Sequence, residues 1–174
     1  MKYQPLYVDR DFTIAKIKWQ NPVLLKDNWA EFSDSEKYNH EKIYFYKFVA
    51  IRKSKAGDKC ELIYIGYSGR NIKKRLKDKD HAEKQLKIKD ENQKYRLHVC
   101  AGELTDFVNP KNKVQEKDLE TLLIYSHTNT QFQRIANKQN SNSHNIKTSI
   151  LIENSGYLKD GMYKKVSYGL FCYE

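Results

Sequence analysis

The alternation of apolar and polar residues predicts a β-hairpin in the first third of the chain. Residues 42–53, KIYFYKFVAIRK, are rich in aromatic and β-branched side chains, which is typical of a strand. Residues 62–66, LIYIG, form a shorter apolar run that predicts the returning strand, and residues 54–61 between them hold a turn sequence with Gly57. Asn71 is a favourable N-cap residue, so we expect a helix to begin at Ile72.

The rest of the chain predicts a second strand and helix unit and a terminal hairpin. Residues 94–104 predict a third strand, residues 106–113 a turn, and residues 114–127 a helix with leucines at helical spacing. Residues 137–145 are a loop rich in Asn and Ser, and the chain ends in a hairpin that turns at residues 160–161. This order predicts the α+β class, with a small, mainly antiparallel sheet flanked by helices.

The domain organisation follows from the same pattern. Residues 1–40 are predicted to be an N-terminal arm, in which DFTIAKIKW is a weak strand or a short helix. Residues 41–174 are predicted to be one domain whose C-terminal extension is rich in Asn and Tyr. A chain of 174 residues has the length of one ordinary domain.

Charge favours an anionic partner. The formal net charge is +10 and the sequence pI is about 9.3, which makes nucleic acid the leading candidate. An anionic membrane, an acidic protein or a merely well-solvated surface are the alternatives.

Cysteine usage and hydropathy indicate a cytoplasmic protein, which we expect to be encoded by a bacterium or a phage. The three cysteines, Cys60, Cys100 and Cys172, lie far apart and form no CxxC pair. Such a sparse, odd count fits a reducing compartment. The N-terminus lacks the apolar run of a signal peptide, and no stretch reaches the ~20 apolar residues that span a bilayer, so no membrane partner is expected.

Two charged residues fall on predicted apolar helix faces. Arg75 lies between Ile72 and Leu76 in helical angle, which directs it toward the sheet more than the neighbouring lysines. A snorkelling arginine is the alternative. Glu120 lies between Leu123 and Ile124 in angle, where an unpaired carboxylate would be costly. A cation or a metal would stabilise it, and an idle glutamate favoured by the helix dipole is the alternative.

These residue types suit the hydrolysis of phosphodiesters. A tyrosine in each strand of the hairpin, Tyr46 and Tyr64, can orient or deprotonate a water molecule. An arginine can bind two non-bridging phosphate oxygens at once. A glutamate can hold one Mg²⁺ ion, which stabilises the leaving oxygen.

The motifs resemble those of the GIY-YIG nuclease superfamily. Tyr64-Ile65-Gly66 is similar to the second half of that name, and Tyr44-Phe45-Tyr46 is similar to the first half, with Tyr46 at the motif tyrosine. The first motif departs from the family in having Tyr for Gly and Phe for Ile. NIKKRL is similar to the family helix that carries an arginine, LETLLIY to its metal-binding glutamate helix, and RIANKQN to the segment that closes its core. These matches place Arg75, Glu120 and Asn137.

The resemblance implies a β-β-α-β-α core and a metal-dependent DNA endonuclease. In this interpretation Tyr46 or Tyr64 activates water, Arg75 binds the scissile phosphate, and Glu120 holds Mg²⁺, with Mn²⁺ as the alternative. His81, or Lys79, would assist proton transfer; the sequence favours His81 by residue type and Lys79 by position.

The compact chain is most similar to a site-specific type II restriction endonuclease, which would cut double-stranded DNA as a homodimer or homotetramer. A phage, mobile-element or repair nuclease is the first alternative. A module that binds nucleic acid without cutting is the second. The candidate contacts to DNA or phosphate are Gly66, Arg70, Lys74, Lys79, Asn137 and Asn140.

Overall fold

In the computed structural model of the chain, the described residues are 12–24, 41–69, 72–77, 95–110, 113–128, 137, 150–168 and 170–172. They contain eight strands and two helices. In chain order these are β1 (Thr13–Trp19), β2 (Val23–Leu24), β3 (Tyr44–Arg52), β4 (Lys59–Gly69), α1 (Ile72–Lys77), β5 (Arg96–Val108), α2 (Glu116–Thr128), β6 (Ile150–Gly156), β7 (Lys165–Ser167) and β8 (Leu170–Cys172).

The predicted fold class is wrong, because one large mixed sheet dominates the molecule. Its strands lie in the order β4-β3-β5-β1-β6-β7-β8, and β2 also pairs with β5. Strands β1 and β6 run parallel, whereas the other pairs are antiparallel. The described part of the chain is therefore mostly β, with two helices packed on the sheet, and not a small antiparallel sheet flanked by helices.

Strand β1 explains the size of the sheet. It comes from the segment that we assign to an N-terminal arm, yet it lies inside the sheet between β5 and β6. Its side chains alternate, and the buried ones are Thr13, Ala15, Ile17 and Trp19. A period of two is the pattern of a strand, and here the small residues Thr13 and Ala15 complete it. Residues 13–19 therefore form a strand, and not the short helix that the sequence also allowed.

The individual elements between residues 44 and 128 follow the sequence pattern more closely. Strands β3 and β4 form the predicted antiparallel hairpin, and α1 begins at Ile72 as expected. Strand β5 continues to Val108, through residues predicted to turn, because its second half pairs with β1. Near the C-terminus, β6 and β7 form a hairpin whose connection includes the predicted turn at residues 160–161.

The helices pack on opposite faces of the sheet. Helix α1 buries Ile72 and Leu76 in a cluster with the even-numbered side chains of β3, among them Tyr46 and Phe48. Helix α2 buries its leucines in the larger cluster on the other face, which also includes Trp19. No helix among the described residues is long and apolar enough to cross a membrane.

A buried ion pair crosses the larger cluster. The Lys47 ammonium lies 2.9 Å from the Asp160 carboxylate, and both side chains are inaccessible to solvent. Lys47 also donates to the Tyr157 carbonyl at 2.8 Å and lies 4.7 Å from the centre of the Trp19 ring. Burying a lysine is costly unless such partners replace water, so this pair ties β3 to the turn between β6 and β7.

A buried histidine ties the end of α2 to the same turn. The Tyr163 backbone N–H donates to His127 Nε2 at 3.2 Å, and the Leu123 carbonyl lies 2.7 Å from His127 Nδ1. The two contacts require a lone pair on Nε2 and a proton on Nδ1, which is a neutral imidazole. Burial lowers the pKa of His127 to about 4.

Candidate active site

Two tyrosines of the hairpin form the centre of the candidate site. Tyr46 on β3 and Tyr64 on β4 stack with ring centres 6.1 Å apart and an interplanar angle of 24°. Phe48 lies beside both, with ring centres 5.8 Å from Tyr46 and 5.6 Å from Tyr64. Tyr46 is only 1% exposed, whereas Tyr64 is half-buried. Of the two phenols, Tyr64 is therefore the one that solvent or a substrate can reach.

Gly66 makes room for the ring of Tyr46. A Cβ atom on residue 66 would lie 2.1 Å from Tyr46 Cζ and 2.2 Å from its hydroxyl oxygen. Contacts below 3.0 Å do not occur between real side chains without displacement of one of them. The sequence interpretation assigns Gly66 to the approach of a phosphate. The structure gives a more direct reason for the glycine, because only a residue without a side chain fits against the Tyr46 ring.

The two hydroxyl groups share a hydrogen bond. Burial raises the pKa of both phenols, and the bond raises the pKa of Tyr46 further while lowering that of Tyr64. Both pKa values stay above the ordinary value for tyrosine.

Arg75 lies beside the tyrosine pair on α1. Its positive charge acts against the effect of burial and lowers the pKa of both Tyr46 and Tyr64. The Arg75 side chain is exposed. Its charge reaches the two tyrosines, as the predicted direction toward the sheet requires, but the side chain is not buried against the sheet. Ile72 and Leu76 anchor the helix on either side of it in the buried cluster. An exposed guanidinium whose charge acts on both phenols can also bind a phosphate that approaches from solvent.

Glu120 reaches the same site from the opposite face of the sheet. Its negative charge raises the pKa of Tyr46 and Tyr64, in addition to the effect of burial. Its Oε1 atom accepts the Tyr67 backbone N–H at 2.9 Å. Among the described strands, β4 is an edge of the sheet, and an N–H at an edge needs a partner from outside the ladder. Glu120 therefore has a structural role that its helical position alone did not reveal.

Asn137 holds the same edge two residues earlier. The Ile65 N–H donates to Asn137 Oδ1 at 3.0 Å, and Asn137 Nδ2 donates to the Ile65 carbonyl at 2.7 Å. One side-chain amide thus replaces a missing neighbouring strand at Ile65. This arrangement fits the sequence interpretation in which Asn137 closes the core. Both polar groups of the Asn137 side chain bind the Ile65 backbone, whereas the sequence interpretation assigned Asn137 to DNA or phosphate.

The ligands that this site offers to a divalent cation are few. Among the described residues no three His, Cys, Asp or Glu side chains come together as a metal cluster. Mg²⁺ keeps several waters, however, and often binds through one or two carboxylates together with substrate phosphates. An ionised carboxylate offers about four lone-pair sites, and the Tyr67 N–H occupies one of those of Glu120. A site with one carboxylate fits Mg²⁺ that is shared with a phosphate.

Of the predicted site residues, the structure brings Tyr46, Tyr64, Arg75 and Glu120 together. Lys74, which precedes Arg75, is exposed on α1. Four further candidates lie outside the described residues, so their assignments stay predictions: Arg70, Lys79, His81 and Asn140.

Comparisons with family models, with curated proteins and with solved structures give no match to this chain.

Proposed function

We propose that the protein is a metal-dependent endonuclease that hydrolyses phosphodiester bonds of double-stranded DNA, as a site-specific restriction endonuclease acting as a dimer or tetramer. The observation that carries this proposal is the meeting of two tyrosines, an arginine and a glutamate from four separate elements. Both tyrosine pKa values respond to the charges of Arg75 and Glu120, so the four groups share one electrostatic environment. The net charge of +10 supports a polyanionic substrate. The resemblance of the motifs to GIY-YIG nucleases adds to this argument.

The geometry supports a division of roles between the two tyrosines. Tyr64, the more accessible phenol, orients the attacking water and accepts its proton. Tyr46 fixes the Tyr64 hydroxyl through their hydrogen bond. Because burial raises the pKa of Tyr64, the phenolate is a minor species at neutral pH. We expect the cleavage rate to rise with pH above 7.

Arg75 and Glu120 complete the site. The Arg75 guanidinium would bind the non-bridging oxygens of the scissile phosphate and stabilise the charge that develops on them. Glu120 would hold Mg²⁺, which supplies charge stabilisation at the leaving oxygen when it is bound.

Plasmid cleavage tests the proposal. We would compare the wild-type chain, Glu120→Gln and Glu116→Gln, each with Mg²⁺ and with EDTA. Gln keeps a carbonyl oxygen that can accept the Tyr67 N–H while removing the charge, and Glu116 is a matched carboxylate one turn earlier on α2. Discrete fragments that need the metal, disappear in Glu120→Gln and persist in Glu116→Gln would support a site-specific nuclease. Cleavage that is insensitive to Glu120→Gln would exclude the assigned metal ligand.

A second candidate function is a nucleic-acid-binding module that does not cut. The observation in its favour is the hydrogen bond between Glu120 and the Tyr67 N–H. This bond gives the Glu120 carboxylate a structural purpose that requires no catalysis. Retained DNA binding with no cleavage in any of the three proteins would favour this function.

A further inference from the structure

Among the described residues, the outer end of the β3–β4 hairpin extends past the neighbouring strand β5. The last residue of β3 that pairs with β5 is Ile51, opposite Arg96. The chain beyond it closes through a formed turn, in which Ser54 Oγ donates to the Gly57 carbonyl at 2.6 Å and the Gly57 N–H donates to the Ser54 carbonyl at 3.2 Å. The hairpin end therefore has a defined shape that it holds through its own hydrogen bonds.

Two cations at this end lie on the face of the tyrosines. Alternate residues of a strand share a face, and the even-numbered residues of β3 belong to the cluster around Tyr46. Arg52 continues this series, and its partner across the ladder is Lys59. Cross-strand partners point to the same face. The row of side chains on the tyrosine face consists of the pairs Tyr46 with Gly66, Phe48 with Tyr64, Ala50 with Glu61, and Arg52 with Lys59.

The spacing of this row matches a feature of the proposed substrate. Four residues of strand separate Phe48, the partner of Tyr64, from Arg52, which is about 13 Å at ~3.3 Å per residue. The major groove of B-DNA is ~12 Å wide. A duplex whose scissile phosphate lies at Tyr64 thus presents its other backbone near Arg52 and Lys59.

The charges at this end are available to such a backbone. Arg52 is exposed, and the Lys59 side chain is 65% exposed. Lys59 forms an ion pair with Glu61 at 2.7 Å, but exposed pairs of this kind contribute little and can exchange partners. Lys53 and Lys55 in the adjoining turn are exposed as well and increase the positive potential.

We propose that Arg52 and Lys59 form a second phosphate-binding surface, which holds the DNA backbone across the major groove from the scissile phosphate. This inference rests on the proposed function, since it places duplex DNA on the tyrosine face. The logarithm of the observed DNA-binding constant falls linearly with the logarithm of the salt concentration, and each phosphate contact adds ~0.9 to the steepness of this fall. Two contacts therefore contribute about 1.8 to the slope.

The test is a salt titration of binding to a fluorescent DNA duplex, in Ca²⁺ or EDTA to prevent cutting. Arg52→Gln/Lys59→Gln is compared with Lys117→Gln/Lys164→Gln, which removes the same charge from two exposed lysines on α2 and before β7. We expect the slope to become shallower by about 1.8 in the first variant only. Between 50 and 200 mM salt, wild type should then lose roughly 12-fold more affinity than that variant.

The outcomes separate the two proposals. An unchanged slope in Arg52→Gln/Lys59→Gln, or an equal change in the control variant, would overturn the second surface and leave the nuclease proposal to the plasmid assay. A wild-type protein with no salt-dependent affinity for duplex DNA would overturn both. Loss of slope in the hairpin variant alone, with metal-dependent cutting retained at low salt, would support both.

Discussion

Replacing Gly66 by alanine should destabilise the protein by clashing with Tyr46. The added Cβ would lie 2.1 Å from Tyr46 Cζ, 2.2 Å from its hydroxyl oxygen and 2.7 Å from Cε1. The Tyr46 ring is 1% exposed and packs against Phe48 and Tyr64, so it has little room to move. Overpacking costs typically ~1–3 kcal/mol, and three short contacts in a buried position place Gly66→Ala near 3 kcal/mol, about 6–12 °C in Tm for a chain of this size.

A double-mutant cycle attributes the cost to this contact. Tyr46→Leu removes the three atoms that the new Cβ would meet, at its own cost in packing. If the clash is the cause, Gly66→Ala should cost ~1–3 kcal/mol less in the Tyr46→Leu background than in wild type. The assay is urea unfolding followed by circular dichroism, with equal m-values required for the comparison. A single variant within ~0.5 kcal/mol of wild type, or a strictly additive cycle, would refute the reasoning.

Three further predictions concern the scaffold of the site. Burial lowers the pKa of His127 from 6.5 to about 4, so between these pH values the unfolded chain binds a proton that the folded chain does not. The free energy of unfolding should therefore fall by up to ~3 kcal/mol as the pH drops from 6.5 toward 4. Urea unfolding of His127→Gln should lack this part of the pH dependence. Asn137→Ala removes the side-chain partner of the Ile65 N–H and carbonyl and should lower the free energy of unfolding by ~1–3 kcal/mol. Hydrogen exchange at the Ile65 amide should become faster, and unchanged exchange would contradict the role of Asn137 as that partner. Asp160→Asn leaves Lys47 buried without its counter-charge and should cost ~3–5 kcal/mol by thermal unfolding, and Lys47→Met in the same chain should recover part of that loss.

The sequence could predict the hairpin, and could single out Arg75 and Glu120, because these signals are local. An apolar run, a turn sequence and an N-cap lie within about 30 residues, and Arg75 and Glu120 stand out against the apolar positions of their own helices. The accessibility of Arg75 was not predictable in this way, because it depends on how deeply α1 settles on the sheet.

The architecture could not be predicted, since it depends on pairings between distant segments. Strand β1 pairs with β6, and Trp19 lies opposite Gly156. No local pattern indicates a parallel partner so far along the chain. The alternation in residues 13–19 is visible only when the small residues Thr13 and Ala15 are counted as inward residues together with Ile17 and Trp19.

Lys47 illustrates the same difficulty within one strand. It interrupts an apolar run and is fully buried, but its counter-charge, Asp160, lies 113 residues away in the sequence. An isolated lysine in a strand is a detectable signal, whereas its partner is visible only in the folded chain.

The position of the site at the β4 edge makes catalysis and stability inseparable in some variants. Ile65 and Tyr67 have backbone groups that face away from the ladder and receive their partners from Asn137 and Glu120. The strand that carries Tyr64 is therefore held by the residue that we assign to the metal. Glu120→Ala would remove the proposed ligand and the acceptor of the Tyr67 N–H together, so lost cleavage in that variant could reflect a displaced Tyr64. Glu120→Gln keeps an acceptor and removes only the charge, and for this reason the assignment of the metal ligand depends on the glutamine variant.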